Sequence, residues 1–268
     1  MTCVTQRHNP GTHTSQRFAD MTSTDGGLAT RILHRLFGVY GWLVFALCVL
    51  FALVAVTVVP GLERRRRAVA LASRGTFVLS GIRPDINGLE NLPDGHCVVV
   101  ANHASYVDGV LLSGYLPARF SFVVKGEMRN IPIAHFLLRR GGSKFVERFV
   151  TAGSTRDARQ IVKAARDGES LAFFPEGTFI KQPGVGRFRA GAFVAAIKGS
   201  MPIVPVAISG TRQMMPAGRL LPWPCPVRVD ILAPIDPSDM AFDNHRALAE
   251  TARQRILAVL GEPDLLAD

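Results

Sequence analysis

The stretch CVVVANHASYVDG, residues 97–109, decides how this chain is read. An apolar run, Cys97–Ala101, gives way at once to Asn102, His103 and, five positions after the histidine, Asp108. A run this short and continuously apolar fits a strand covered on both faces, because a strand with one wet face alternates. A histidine at the carboxyl end of such a strand stands where open α/β sheets place their ligands. Its unperturbed pKa suits a general base near neutrality, and a carboxylate on the far ring nitrogen would fix the tautomer and stabilise the imidazolium. Asp108 can fold back to do this only if a turn intervenes. By itself the pair is equally compatible with a structural histidine.

Outward from this segment the same grammar repeats. Candidate strands are FSFVV (120–124), KFVE (144–147), SLAFF (170–174), PIVPVAIS (202–209) and VRVDIL (227–232). Between them VLLSGYL, PIAHFLL, STRDARQIVKAAR and GAFVAAIKG read as helices, and FDNHRALAETARQRILAVL as a closing helix. The alternation predicts an α/β domain over residues 81–268, with a mixed, mostly parallel central sheet flanked by helices. Polar groups gather at the strand ends: Lys125, Arg148, and Glu176 with Gly177 and Thr178.

Upstream the chain is different in kind. Residues 1–30 are polar, rich in Thr, Ser and Gly and without apolar period, and are expected to be a disordered tail. Residues 31–62 contain Phe37–Pro60, a run of 24 residues with no charge. As a helix that run spans about 36 Å, more than a hydrocarbon core of about 30 Å. It is longer than a secretory signal core and ends in VVPGLERRRR rather than a small-x-small site, so it reads as a retained anchor. Gly38 and Gly41 leave open a helix that tilts or dips in without spanning. Residues 63–80 form a basic juxtamembrane segment, with five arginines against Glu63. The heavier positive flank should stay cytoplasmic, placing the domain on the cytoplasmic side of the cell (inner) membrane.

The chain has 268 residues and a net charge of +10, from 31 Lys and Arg against 21 Asp and Glu. That excess asks for an anionic partner, and an anionic membrane surface fits best. Two Trp and 8% aromatic residues do not make a stacking platform for nucleic acid. Cys3, Cys48, Cys97 and Cys225 are scattered, with no metal-ligand spacing and no disulfide pattern, which suits a reducing compartment.

Taken together, the strand-end segments resemble the glycerolipid acyltransferases typified by 1-acylglycerol-3-phosphate acyltransferase. The NHxxxxD motif of that family matches Asn102, His103 and Asp108. GxxFxxR matches Gly142, Phe145 and Arg148; FPEGT matches Phe174–Thr178; an apolar proline motif matches the segment with Pro205 that ends at Val206. The resemblance covers about residues 85–235 and implies transfer of a fatty acyl chain from acyl-CoA or acyl-carrier protein to the hydroxyl of a lysophospholipid, with no cofactor and no metal. It implies that His103 is the base and Asp108 its orienting partner. No Ser or Cys nucleophile is required, because a thioester is already activated. Glu176, Gly177 and Thr178 would hold the acceptor's polar part, and Arg148 and Lys125 its phosphate.

One position departs from the family. Phe179 stands where arginine usually follows the threonine. Arg187 or Arg189 from the next loop would then have to supply the phosphate contact, or the acceptor carries no phosphate monoester, as in lyso-ornithine lipid. Two further readings are a basic membrane-bound scaffold whose motif residues are inactive, and a metal-dependent hydrolase built on His103, Asp108 and Glu176. The second has only one strong histidine ligand among the motifs.

Overall fold

The computed structural model describes residues 27–147, 152–179, 181–238 and 244–267. The tail up to Gly26 and Arg148 lie outside the described residues. Helix α1 spans Leu28–Val58, so Leu28, Ala29 and Thr30, expected in the tail, belong to its first turn. Val59 is extended, as the residue before Pro60 must tend to be, and Gly61 turns the chain at φ +84. The basic segment then forms a second helix, α2 (Leu62–Leu79).

The two helices pack along a seam of small residues. Gly38, Gly41, Val44, Cys48, Ala52 and Ala55 recur three or four apart and are buried. A Cβ on Gly38 would come within 2.8 Å of Leu221, and one on Gly75 within 3.4 Å of the Cys48 sulfur, so the glycines permit the approach. Trp42 Nε1 donates to the Leu220 carbonyl at 2.6 Å, and Arg140 donates through Nε and Nη2 to the Val56 carbonyl at 3.0 and 2.8 Å. The outer face of α1 has no such company. Leu36, Leu43, Leu47, Leu50 and Val54 are all more than half exposed.

Seven strands form one sheet in the order β1-β7-β6-β2-β5-β3-β4. They are β1 (Asp85–Asn87), β2 (Val98–Ala101), β3 (Ser121–Lys125), β4 (Lys144–Val146), β5 (Leu171–Phe173), β6 (Ile203–Ser209) and β7 (Arg228–Ile231). Only β6 and β7 pair antiparallel among the described strands. The mixed, mostly parallel sheet expected from the sequence is therefore present, with β1 as a short edge strand that no apolar run announced.

Helices α3 (Asp108–Tyr115), α4 (Pro132–Arg140), α5 (Ala152–Arg166), α6 (Gly191–Gly199), α7 (Thr211–Met214) and α8 (His245–Leu260) complete the domain. Strand β2 shows why its residues are all apolar. Val98 and Val100 point into a core built with Ile161 of α5, Phe193 of α6 and Leu248 of α8. Val99 and Ala101 point the other way, against Leu111 and Leu112 of α3 and Phe77 of α2. Each such side chain contributes about 1.5–3 kcal/mol by leaving water, and a one-residue slip would exchange the two sets.

The four arginines 64–67 do not act alike. Arg66 turns inward, donating to the carbonyls of Gly141 and Arg119 at 3.0 and 2.9 Å. Burial lowers its pKa, with Glu169 opposing. Arg66 pins α2 to the domain, while Arg67 pairs with Glu63 in solvent. Gly142, at φ +79, belongs to the same joint, since a Cβ there would lie 2.9 Å from Arg66 Nη2.

Candidate active site

The site is built where β2 ends. Asn102 extends the β2–β6 pairing with its side chain: Oδ1 accepts from Ile208 N at 2.7 Å, and Nδ2 donates to Ile208 O at 3.0 Å. That pins the exit of the strand and aims the next residues into a turn. The turn closes on one oxygen. Asp108 Oδ2 accepts from the backbone N–H groups of Ala104 and Ser105 at 2.7 and 2.8 Å, and meets His103 Nδ1 at 2.9 Å. Asp108 is fully buried at the start of α3, and its Oδ1 has no protein partner among the described residues.

With three donors converging on it, Oδ2 acts as acceptor, so the proton sits on Nδ1 and Nε2 is the open nitrogen of His103. The ring is held from both sides. Phe174 stacks at 4.4 Å between centroids, and Phe179 packs edge-on at 4.6 Å, itself braced by Tyr106 at 4.7 Å. Position 179 therefore serves as a wall of the histidine pocket. Neither phenylalanine's contact with His103 was legible in the sequence, because the two residues sit on a loop far along the chain from it.

Glu176 has a task that its motif position did not reveal. Oε1 accepts from His103 N at 2.8 Å and Oε2 from Gly186 N at 3.0 Å. The carboxylate thus ties the His103 turn to the loop preceding α6. Burial pushes its pKa up, against the hydrogen bonds from His103 and Gly186 and the charges of His103 and Arg212. Gly177 turns tightly at φ +78, donating to Phe174 O at 3.0 Å, and Thr178 is exposed beside it.

Gly186 is presented in turn by the C-terminal segment. Glu262 accepts from Gly184 N at 2.7 Å and pairs with Arg212 at 3.0 Å, while Arg212 also donates to Gln182 O at 2.8 Å. Buried Arg253 pairs with Asp264 at 2.6 Å. No sequence signal connects Glu262 or Arg212 to Glu176, since only the packing of three separated segments joins them.

The remaining sequence-derived residues lie at varied distances from this centre. Lys125 is exposed at the end of β3, two strands from β2. Phe145, in β4, packs against His135 and beneath Arg129, with centroid distances of 5.3 Å in each case. Pro205 is buried in β6 opposite Val100, and its carbonyl accepts from Leu232 N at 2.9 Å. Ser105 is fully buried and donates its hydroxyl to Met215 O at 2.6 Å, so it offers no nucleophile. Burial pushes the thiols of Cys97 and Cys225 up to about 11 and about 12. Trp42, Phe45, Phe77, Tyr106, Val107 and Met215 line an apolar cavity of about 110 Å³ between α1, α2 and α3.

The comparison with known proteins agrees with this architecture. The family model described as Acyltransferase matches residues 83–209. The chain is 35% identical over 138 residues to a chloroplastic 1-acyl-sn-glycerol-3-phosphate acyltransferase of Brassica napus, covering 51% of this chain and 40% of that one. It is 25% identical over 240 residues to a 1-acyl-sn-glycerol-3-phosphate acyltransferase of Saccharomyces cerevisiae, covering 87% and 79%. The crystal structure of the 1-acyl-sn-glycerophosphate (LPA) acyltransferase PlsC of Thermotoga maritima superposes with a TM-score of 0.73 at 25% identity, over 85% of this chain and 95% of that one. The chain spans less than half the length of the Brassica relative.

Proposed function

From the match of residues 83–209 to the Acyltransferase family model we propose that the chain is an acyltransferase, transferring a fatty acyl group from a thioester to the free hydroxyl of 1-acylglycerol-3-phosphate. The observation that carries this reading is the His103–Asp108 pair, 2.9 Å apart, with Nε2 open. His103 Nε2 takes the acceptor's hydroxyl proton as the oxygen attacks the thioester carbonyl, and Asp108 stabilises the imidazolium that forms. The tetrahedral intermediate then collapses, the carbon–sulfur bond breaks, and the imidazolium returns the proton to the departing thiolate. The donor is acyl-CoA or acyl-carrier protein. The apolar cavity beside Tyr106 takes part of an acyl chain.

The exposed leucine face of α1 supports association with a bilayer, where lysolipid and product both reside. By length and composition α1 is able to cross a membrane. Its inner face, however, is packed on α2 and on the loop at Leu220–Pro222. That favours a helix lying in the leaflet with the domain beneath it on the cytoplasmic side. Exposed Arg64 adds attraction to anionic headgroups, about 1 kcal/mol near the surface.

Phe179 favours a second acceptor class, a lysolipid without a phosphate monoester such as lyso-ornithine lipid. The deciding experiment offers the purified protein a panel of lysolipids with labelled acyl-CoA and identifies products by mass. Labelled phosphatidic acid is the expected product. Acylation of lyso-ornithine lipid alone would select the second reading, and no acyl transfer to any acceptor would refute both.

A further inference from the structure

We infer that Arg189 is the residue that grips the acceptor's phosphate in this chain. The inference rests on the proposed acyl transfer to 1-acylglycerol-3-phosphate and names the cation that makes that acceptor possible despite Phe179. Phe179 offers no donor to a phosphate, and its ring packs against His103 at 4.6 Å and against Tyr106 at 4.7 Å. Arg189 reaches the same turn from the other side. A Cβ on Gly177 would come within 2.8 Å of Arg189 Nε, so the guanidinium lies directly over the Glu176–Gly177 turn. The glycine, already required by φ +78, also makes the room.

The base of this arginine is fixed while its head is unengaged. Its backbone N–H donates to Pro175 O at 2.9 Å, and the preceding Phe188 is buried against Phe193. The exposed guanidinium makes no hydrogen bond or ion pair among the described residues. Neighbouring Glu176 forms no ion pair with it among the described residues; its two oxygens are turned to the backbone N–H groups of His103 and Gly186. The other cations nearby are placed differently. Arg212 is tied to Glu262 and to backbone carbonyls, and Lys181 lies along Gly218. A planar guanidinium held at its root is the group best matched to a phosphate, which it binds through two parallel N–H···O bonds. A lysolipid phosphate seated there would lie beside the turn whose Glu176 holds the His103 backbone, with the acceptor hydroxyl free to approach Nε2.

The test measures acyl transfer from oleoyl-CoA by the full chain in mixed micelles, with 1-acylglycerol-3-phosphate and with 1-acylglycerol, which lacks the phosphate. Arg189→Ala should raise KM for the phosphate acceptor at least tenfold with a much smaller change in kcat. The ratio of kcat/KM between the two acceptors should fall at least tenfold. Arg189→Lys should retain part of the preference, since it keeps a cation without the fork. The double variant Arg189→Ala with Phe179→Arg should recover part of the lost affinity by restoring a cation on the opposite side of the turn. If wild-type protein acylates the phosphate acceptor and Arg189→Ala leaves KM and the acceptor ratio unchanged, Arg189 is not the phosphate group's partner, and only this assignment falls. If wild-type protein ignores 1-acylglycerol-3-phosphate but acylates a phosphate-free lysolipid, the acceptor assignment and this inference fall together. An equal loss with both acceptors in Arg189→Ala also overturns it, because the arginine would then be supporting the turn.

Discussion

The turn after β2 and the outer face of α1 are opposite solutions to the same demand for partners. In the turn nearly every polar group is accounted for: Asp108 Oδ2 receives three donors, Glu176 two, and Ser105 bonds Met215. On α1 the leucines at 36, 43, 47 and 50 are all more than half exposed. Apart from the open Nε2 and the unpartnered Asp108 Oδ1, the turn is complete within the described residues, whereas the helix is complete only with something apolar outside. A polar network fixes geometry and so suits chemistry. An apolar face fixes only location, because the hydrophobic effect has no direction.

The sharpest way to break this contrast is to remove the side chain that carries the open Nε2. His103→Ala should lower kcat by about 10²–10⁴-fold, the usual range for a general base, a loss far larger than the fall in melting temperature that follows from the lost ring contacts and the lost donor to Asp108. Unaltered kcat would remove His103 from the reaction. Next in size is the helix. Replacing Leu43, Leu47 and Leu50 by serine should shift the protein from the membrane to the soluble fraction in a flotation assay, since each leucine contributes about 1.5–3 kcal/mol when buried in lipid. The fold should survive, because all three are more than half exposed. Gly41→Leu, on the inner face, should do the reverse: lower the melting temperature by crowding Pro222, and leave membrane affinity in place.

A smaller effect tests how far the polar network extends. Glu262→Ala leaves Gly184 N and Arg212 short of an acceptor, at a cost of about 1–3 kcal/mol. Thermal melting should fall accordingly, and activity should fall with it as Gly186 loosens from Glu176. Unchanged activity would confine the network to the turn itself. The smallest effect is in pH. Burial raises the Glu176 pKa, so in the window just above the ordinary carboxylate value the folded state holds a proton that the unfolded chain has lost. Its contribution is fully present below that ordinary value and is lost as pH rises through the folded pKa. Melting temperatures of wild type relative to Glu176→Gln, taken from about pH 4 to 7, should therefore decline as pH rises. A flat difference would show that the opposing hydrogen bonds cancel burial.

Much of this molecule is legible without coordinates because much of it depends on neighbours in sequence. The apolar runs at Val98–Ala101 and Ile203–Ser209 signal strands covered on both faces, and each appears as a buried strand in the sheet. His103 and Asp108 are five residues apart, so one turn suffices to join them. Strand β1 was not legible, since three residues with a half-wet pattern carry little signal. The basic segment after Pro60 was read by charge, and its helix escaped notice because Arg66 points inward while its neighbours do not. Arg148, central to the sequence reading, lies outside the described residues.

The sequence by itself determined the α/β class, the presence of a long apolar helix near the N-terminus, and which residue types gather at the strand ends, all consequences of period and composition. Tertiary structure alone decided that Glu176 holds the His103 backbone, that Phe179 walls the imidazole, that Arg189 lies over Gly177, and that Glu262 supports them from the far end of the chain. These contacts join segments with no fixed spacing between them, so their geometry comes from how the sheet and its helices pack.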